Sequence, residues 1–162
     1  MHALTIYLSA RYVKVYVLAV TPHDREDRPD LAAMVTRLSR VLIAMEQPVL
    51  AAHGVSMWGY IVLTALDETP LRTQTALART IGADKTRIIG VLDDLQRRGL
   101  IQREPDPTDR RVHLLSLTPP GRRLHTEVQQ AIRREEDRLL DQVSVADRQV
   151  FLRVLQALDP RT

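Results

Sequence analysis

Lys85, Thr86 and Arg87 stand together directly after Asp84, and Ile89 and Gly90 follow them. Asp84 is a residue type suited to the N-cap of a helix. If a helix begins there, Ile88, Val91, Leu92 and Leu95 share one face, and Lys85, Thr86, Arg87, Ile89 and Gly90 occupy the opposite, N-terminal side. Short polar and basic side chains at a helix start suit the major groove of double-stranded DNA. An arginine there can donate two hydrogen bonds to a guanine, and an isoleucine can touch a thymine methyl. Arg110 and Arg111 form a second basic pair, beside a polar loop that holds Pro105 and Pro107. A planar guanidinium on a narrow loop suits a phosphate or a narrow minor groove. Asp109 beside them is expected to orient Arg111 through an ion pair. Arg72, Thr73 and Thr75 are further candidates for the DNA backbone.

Other chemistries find little support. There is no cysteine, which removes disulfides, thiolate metal ligands and thiol redox sensing together. The histidines, His2, His23, His53, His113 and His125, show neither i, i+4 pairing nor an acidic partner at metal-binding spacing. No nucleophile elbow, phosphate-binding glycine loop or paired-carboxylate pattern occurs, so neither an enzyme nor a metal or other cofactor is expected. The stretch from Val13 to Val20 is interrupted by Lys14 and is too short to span a bilayer. A cytoplasmic protein is expected. The formal net charge of +3 is too small to indicate nucleic acid by itself, so the argument rests on where the arginines fall.

Aromatic residues make up only 4% of the chain, so leucine, valine, isoleucine and alanine must fill the core, a composition that favours helices. Residues 1–30 read as a β-prone extension and a proline-bearing linker of unknown role. From Leu31 the apolar residues step by three and four through Met34, Val35, Leu38, Val41, Leu42, Met45 and Val49. Pro48 is expected to kink or end that helix, with Gly54 a plausible stop. Ser56 is placed to cap a second helix, Thr73 a short third and Asp84 a fourth that Gly99 ends. Residues 100–103 and 111–117 predict the two strands of a hairpin. Thr118, with Pro119 and Pro120 in the first turn, predicts a long charged helix, and Ser144 with Asp147 marks a last one.

Two short helices joined by a glycine turn and followed by a hairpin follow the order of a winged helix-turn-helix. The expected fold is mainly α with a small β-hairpin wing. The run Leu77-Ala78-Arg79, Gly82, Asp84-Lys85-Thr86, Leu92-Asp93-Asp94-Leu95 and Arg98-Gly99-Leu100-Ile101 continues into 103–111, Leu115-Ser116-Leu117-Thr118 and Gly121. In this order and spacing it resembles the MarR family of winged helix-turn-helix transcriptional regulators, over residues 31–158.

The resemblance implies an intertwined homodimer formed through the N- and C-terminal helices. Residues 31–54 would be a dimerisation helix, 55–118 the DNA-binding lobe and 119–162 the C-terminal dimerisation helices. It also implies a repressor of a pseudo-palindromic operator, released by a small aromatic or phenolic effector. His53, Trp58 and Tyr60 are the effector-pocket candidates, with an interior or dimer-interface role the plainer reading for the two aromatics. This chain departs from the family pattern at Arg72, which looks inserted, and at Ile89, Gly90 and His113. Those positions bear on which operator is read. The alternative is a winged-helix dimer that docks proteins without specific DNA binding.

Overall fold

The computed structural model describes residues 29–69, 72–107, 109 and 112–159. The β-prone extension expected at the N-terminus, Arg110 and Arg111 lie outside the described residues. The chain divides into two compact units, Met1–Thr36 and Arg37–Thr162. The described part of the first is residues 29–36, where Met34 N–H donates to Asp30 O at 3.0 Å as a helix begins.

Among the described residues, six helices and three strands follow in chain order. They are α1 (Leu31–Ala52), α2 (Met57–Glu68), β1 (Arg72–Thr73), α3 (Gln74–Thr80), α4 (Lys85–Arg97), β2 (Ile101–Pro105), β3 (His113–Leu117), α5 (Pro119–Leu140) and α6 (Val145–Leu158). The capping residues act as their chemistry predicts. The side-chain oxygens of Ser56, Thr73, Asp84, Thr118 and Ser144 each accept a backbone N–H of the first turn of α2, α3, α4, α5 and α6.

Helices α1, α3 and α4 end in the same way. Gly54, Gly82 and Gly99 sit at φ of 63°, 63° and 68°. The residue after each glycine donates its N–H back to a buried position of the helix, as in Val55 to Leu50, Ala83 to Ala78 and Leu100 to Leu95, each at 2.9 Å. This pairing consumes carbonyls the helix end would otherwise leave unmade.

Pro48 does not end α1, which continues through it to Ala52. The missing N–H costs one helical bond. The turn beyond it is held in place because Leu50 is buried and Val49 packs on the core.

The core of the second unit is one cluster built on Val62, Leu63 and Leu66 of α2, Leu77 of α3, Ile88, Leu92 and Leu95 of α4, and Val128 of α5. Ile101, Leu115 and Leu117 close it from the sheet. The hairpin is one strand richer than the sequence predicts: the sheet is antiparallel in the order β1-β3-β2. Arg72 and Thr73 pair with Leu115 and Leu114, while β2 pairs along the other edge from Ile101↔Leu117 to Pro105↔His113. A two-residue strand carries no alternation of its own, so only the tertiary pairing reveals it.

Helix α6 has no buried residue, although Phe151, Val150, Val154 and Leu155 lie along it. With Leu38 and Leu42 of α1 and Leu139 and Leu140 of α5, Phe151, Leu152 and Leu155 line an apolar hollow of about 140 Å³. Among the described residues, no single helix is long and apolar enough to cross a membrane.

Candidate nucleic-acid interface

The proposed reading surface is built from its capping residue upward. Asp84 Oδ1 accepts the Thr86 N–H at 2.7 Å, which starts α4 and holds the Asp84 carboxyl below its ordinary range. From that start, the helical period sends Ile88, Leu92 and Leu95 into the core and leaves Thr86, Arg87, Ile89 and Gly90 exposed. Lys85 opens the same helix. The four exposed residues thus share the solvent side of the first two turns, as the sequence predicts. A Cβ added at Gly90 would meet nothing within 4 Å, so the glycine leaves open space rather than relieving a contact within the chain.

Two polar contacts fix α4 in its lobe. Asp93 Oδ1 accepts from Arg103 of β2 at 2.6 Å, tying the helix to the wing strand. Arg98 donates to Gly54 O at 2.9 Å, tying its C-terminal end to the turn between α1 and α2. Asp94 pairs with Arg97 and Arg98 along the helix end. The two adjacent aspartates of the motif therefore have separate partners, one reaching the wing and the other staying on the helix.

Thr75 is exposed on α3. The Thr73 hydroxyl accepts the Ala76 N–H at 3.1 Å as the α3 cap, and Arg72 pairs into the sheet through its backbone. At the wing, Asp106 N–H donates to Val112 O at 2.8 Å and Val112 N–H to Asp109 O at 2.9 Å, so the loop closes on itself. His113 is exposed at the strand end, opposite Pro105, where an apolar residue would gain nothing from burial.

The three effector candidates do not come together. His53 Nδ1 lies 2.8 Å from Val49 O, and its ring lines an open groove with Met45, Val49, Ala131 and Arg134. Trp58 faces Arg87, whose guanidinium carbon lies 5.6 Å from the indole centroid. Tyr60 stacks on His125 at 5.7 Å between ring centroids. Burial pushes the Tyr60 hydroxyl pKa up, against a hydrogen bond with Thr64 that opposes the shift.

His125 is a feature that sequence reasoning missed. It is 2% exposed, and its Nε2 is hydrogen-bonded to the Thr64 hydroxyl at 3.1 Å. Its Nδ1 faces Asp67 Oδ2 at 3.6 Å, and Arg122 donates to the other Asp67 oxygen at 2.7 Å. Burial pulls its pKa down, outweighing the carboxylates of Asp67 and Glu68, which act to raise it. Among the described residues, no group of three or more histidine or acidic side chains is placed to hold a metal ion.

A transcriptional repressor, CouR, bound to a 23-mer DNA duplex, superposes with a TM-score of 0.69 at 30% identity, covering 80% of this chain and 92% of that one. The chain belongs to the MarR family. The family's sequence profile matches residues 53–112, from the end of α1 through the wing. CouR from Rhodococcus jostii RHA1 bound to p-coumaroyl-CoA superposes with a TM-score of 0.66 at 27% identity, over 82% of this chain and 94% of that one. A putative transcriptional regulatory protein for the hcr operon of Thauera aromatica is 33% identical over 106 residues, which is 65% of this chain. The match spans 64% of that relative's length. The winged helix-turn-helix is thus this MarR-family member's fold, and the family consists of transcriptional regulators, not enzymes.

Proposed function

We propose that this chain is a homodimeric, ligand-responsive repressor that binds a pseudo-palindromic DNA operator in the cytoplasm. The observation that carries the reading is the exposed start of α4, with Thr86, Arg87, Ile89 and Gly90 on one open side of a helix anchored to a wing. Lys85, Thr86 and Arg87 position the helix and read bases, and Ile89 contacts a thymine methyl. Arg110 and Arg111 grip the backbone or minor groove from the wing, with Asp109 orienting Arg111. Arg72, Thr73 and Thr75 flank the phosphates.

Dimerisation is supported by α6, an apolar helix without a single buried residue in one chain. Residues 31–54 and 119–162 would supply the interface and residues 55–118 the DNA-binding lobe. Two-fold symmetry then sets two copies of α4 on successive major grooves, and the operator repeats that symmetry.

The effector is proposed to be a small aromatic or phenolic compound or its thioester. The support is CouR, which has been solved with p-coumaroyl-CoA. The groove beside His53, about 510 Å³ and bordered by Arg134, is large enough for an aromatic acyl group. Of the three sequence candidates, His53 borders that groove, Tyr60 stacks on His125 of α5 and Trp58 lies beside Arg87 of α4. A shift of the spacing between the two reading helices needs a coupling of only ~1–3 kcal/mol.

The test is fluorescence anisotropy with the protein's own upstream DNA and a scrambled duplex, at two salt concentrations, with and without p-coumaroyl-CoA. Tight, salt-sensitive, sequence-selective binding is expected. Weak binding indifferent to sequence would instead favour a protein-docking role for the winged helix.

A further inference from the structure

We propose that Trp58 is a positioning residue for Arg87, holding its guanidinium flat so that the exposed edge is aimed at a base. The inference rests on the DNA-reading role proposed for α4 and adds a residue outside that helix to it.

Arg87 occupies the first turn of α4 and is exposed, yet its guanidinium carbon lies 5.6 Å from the centre of the Trp58 ring. Trp58 is in the first turn of α2 and only half-buried, and it is not among the hydrophobic residues that form or border the core. An indole that leaves the interior to lie against a cation has a use other than filling volume. Among the described residues, the Arg87 guanidinium donates no hydrogen bond, although the Asp84 carboxylate stands near enough to interact with it. The guanidinium therefore has the indole ring beside it, while its N–H groups take no partner among the described residues.

That division suits base recognition. Guanine is read by the edge of a guanidinium, through two parallel hydrogen bonds to O6 and N7. A stacked face does not compete with those donors. A long arginine at a bare helix start samples many rotamers, and ordering it on binding opposes affinity. An aromatic plane that orders it beforehand removes part of that opposition.

The platform is itself fixed. Gly59, next to Trp58, is buried, and a Cβ there would lie 3.2 Å from Ser56 Oγ and 3.3 Å from Val55, so the start of α2 is tightly packed on the turn before it, with Leu95 of α4 in van der Waals contact at 3.9 Å. Arg98 joins α4 to the residue preceding α2 by two positions of loop, through Gly54 O at 2.9 Å. The start of α2, which carries Trp58, is thereby tied to the C-terminal end of α4.

Trp58 is the sole tryptophan, so the contact can be read optically. In the full-length protein without DNA, Arg87→Ala is expected to change the emission of Trp58 and raise its quenching by acrylamide. Unchanged emission and quenching would overturn the contact. With a duplex enriched by the wild-type protein from a randomised pool, Trp58→Leu is expected to weaken binding about three- to fivefold, the effect of one exposed cation–π contact. It should relax preference at the same base pair that Arg87→Ala relaxes. Trp58→Phe should restore part of the loss, and Trp58→Leu should add nothing in an Arg87→Ala background. An equal loss in both backgrounds would overturn the proposal, because Trp58 would then touch DNA itself or merely support the lobe; unaltered thermal unfolding of Trp58→Leu separates those two. If the wild-type protein enriches no sequence, the DNA-reading role fails and the inference with it. Selective wild-type binding with an additive cycle defeats the inference alone.

Discussion

Gly121, at the start of α5, lies against the backbone carbonyl of Leu100, the last residue before β2. A Cβ at position 121 would stand 2.8 Å from the Leu100 carbonyl carbon and closer still to its oxygen. The same junction is clasped twice more by Thr118, whose N–H donates to Leu100 O at 3.1 Å and whose hydroxyl donates to Gly99 O at 2.6 Å. The long helix therefore enters the lobe through a gap sized for a residue without a side chain. Gly121→Ala should cost roughly 1–3 kcal/mol of stability, the usual range for overpacking a fixed site. A urea midpoint equal to that of the wild type would show that the gap can open freely.

Gly90 makes the opposite prediction. Alanine there meets nothing in the free protein and improves helix propensity by up to about 1 kcal/mol. Gly90→Ala should raise the unfolding midpoint and, at the same time, lower affinity for the selected duplex if this side of α4 seats closely on base edges. A stabilised variant with undiminished DNA affinity would place the groove-facing surface elsewhere on the helix.

The arginines of helix and wing should fail in different ways. Arg87→Ala is expected to cost ~1–3 kcal/mol of binding and to relax sequence preference, as loss of a base contact does. Arg111→Ala should weaken binding to all sequences and reduce the slope of log affinity against log salt by about one. Site selection with the first variant and a salt titration with the second check each assignment. The same motif at the same strength, or the same slope, would remove the residue from its role.

His125 links stability to pH. Its pKa is lowered in the folded protein, whereas the unfolded chain takes up a proton near the ordinary value of 6.5. The unfolded state thus binds more protons in the window just below that value, and stability must fall as pH drops through it. The contribution is complete above about 6.5 and is lost on acidification. In denaturation series from pH 7.5 to about 5, His125→Gln should show a flatter profile than the wild type. Parallel profiles would mean that the ring is protonated without penalty.

Phe151 and Leu155 lie on a helix that buries nothing within one chain. A Leu155→Glu substitution should shift the protein toward monomer in light scattering and abolish tight operator binding, while the lobe keeps its fold. A variant that stays dimeric would move the interface off α6.

Local chemistry was the legible part of this fold. Ser56, Thr73, Asp84, Thr118 and Ser144 cap helices because a side-chain oxygen needs only its own next turn as partner. Gly54, Gly82 and Gly99 end helices for an equally local reason. The exposed face of α4 was legible because its period alone separates Ile88 and Leu92 from Arg87 and Ile89. What escaped depends on distant partners. Pairing of Arg72 with Leu115 makes the third strand, the Thr64 hydroxyl bonds His125, and Arg87 lies over Trp58. Pro48 misleads because burial of Leu50, which the local pattern cannot weigh, outbids the broken helical bond.

The two-residue strand β1 has a mechanical consequence. Thr73 is at once the end of that strand and the cap of α3, while Arg103 on the far strand holds Asp93 of α4. The wing strands and helices α3 and α4 are thus geared together, like one jaw of a caliper. A signal arriving from the long helices would swing the whole jaw rather than bend it, so an operator lengthened or shortened between intact half-sites should be discriminated by the same motion that the proposed effector would drive.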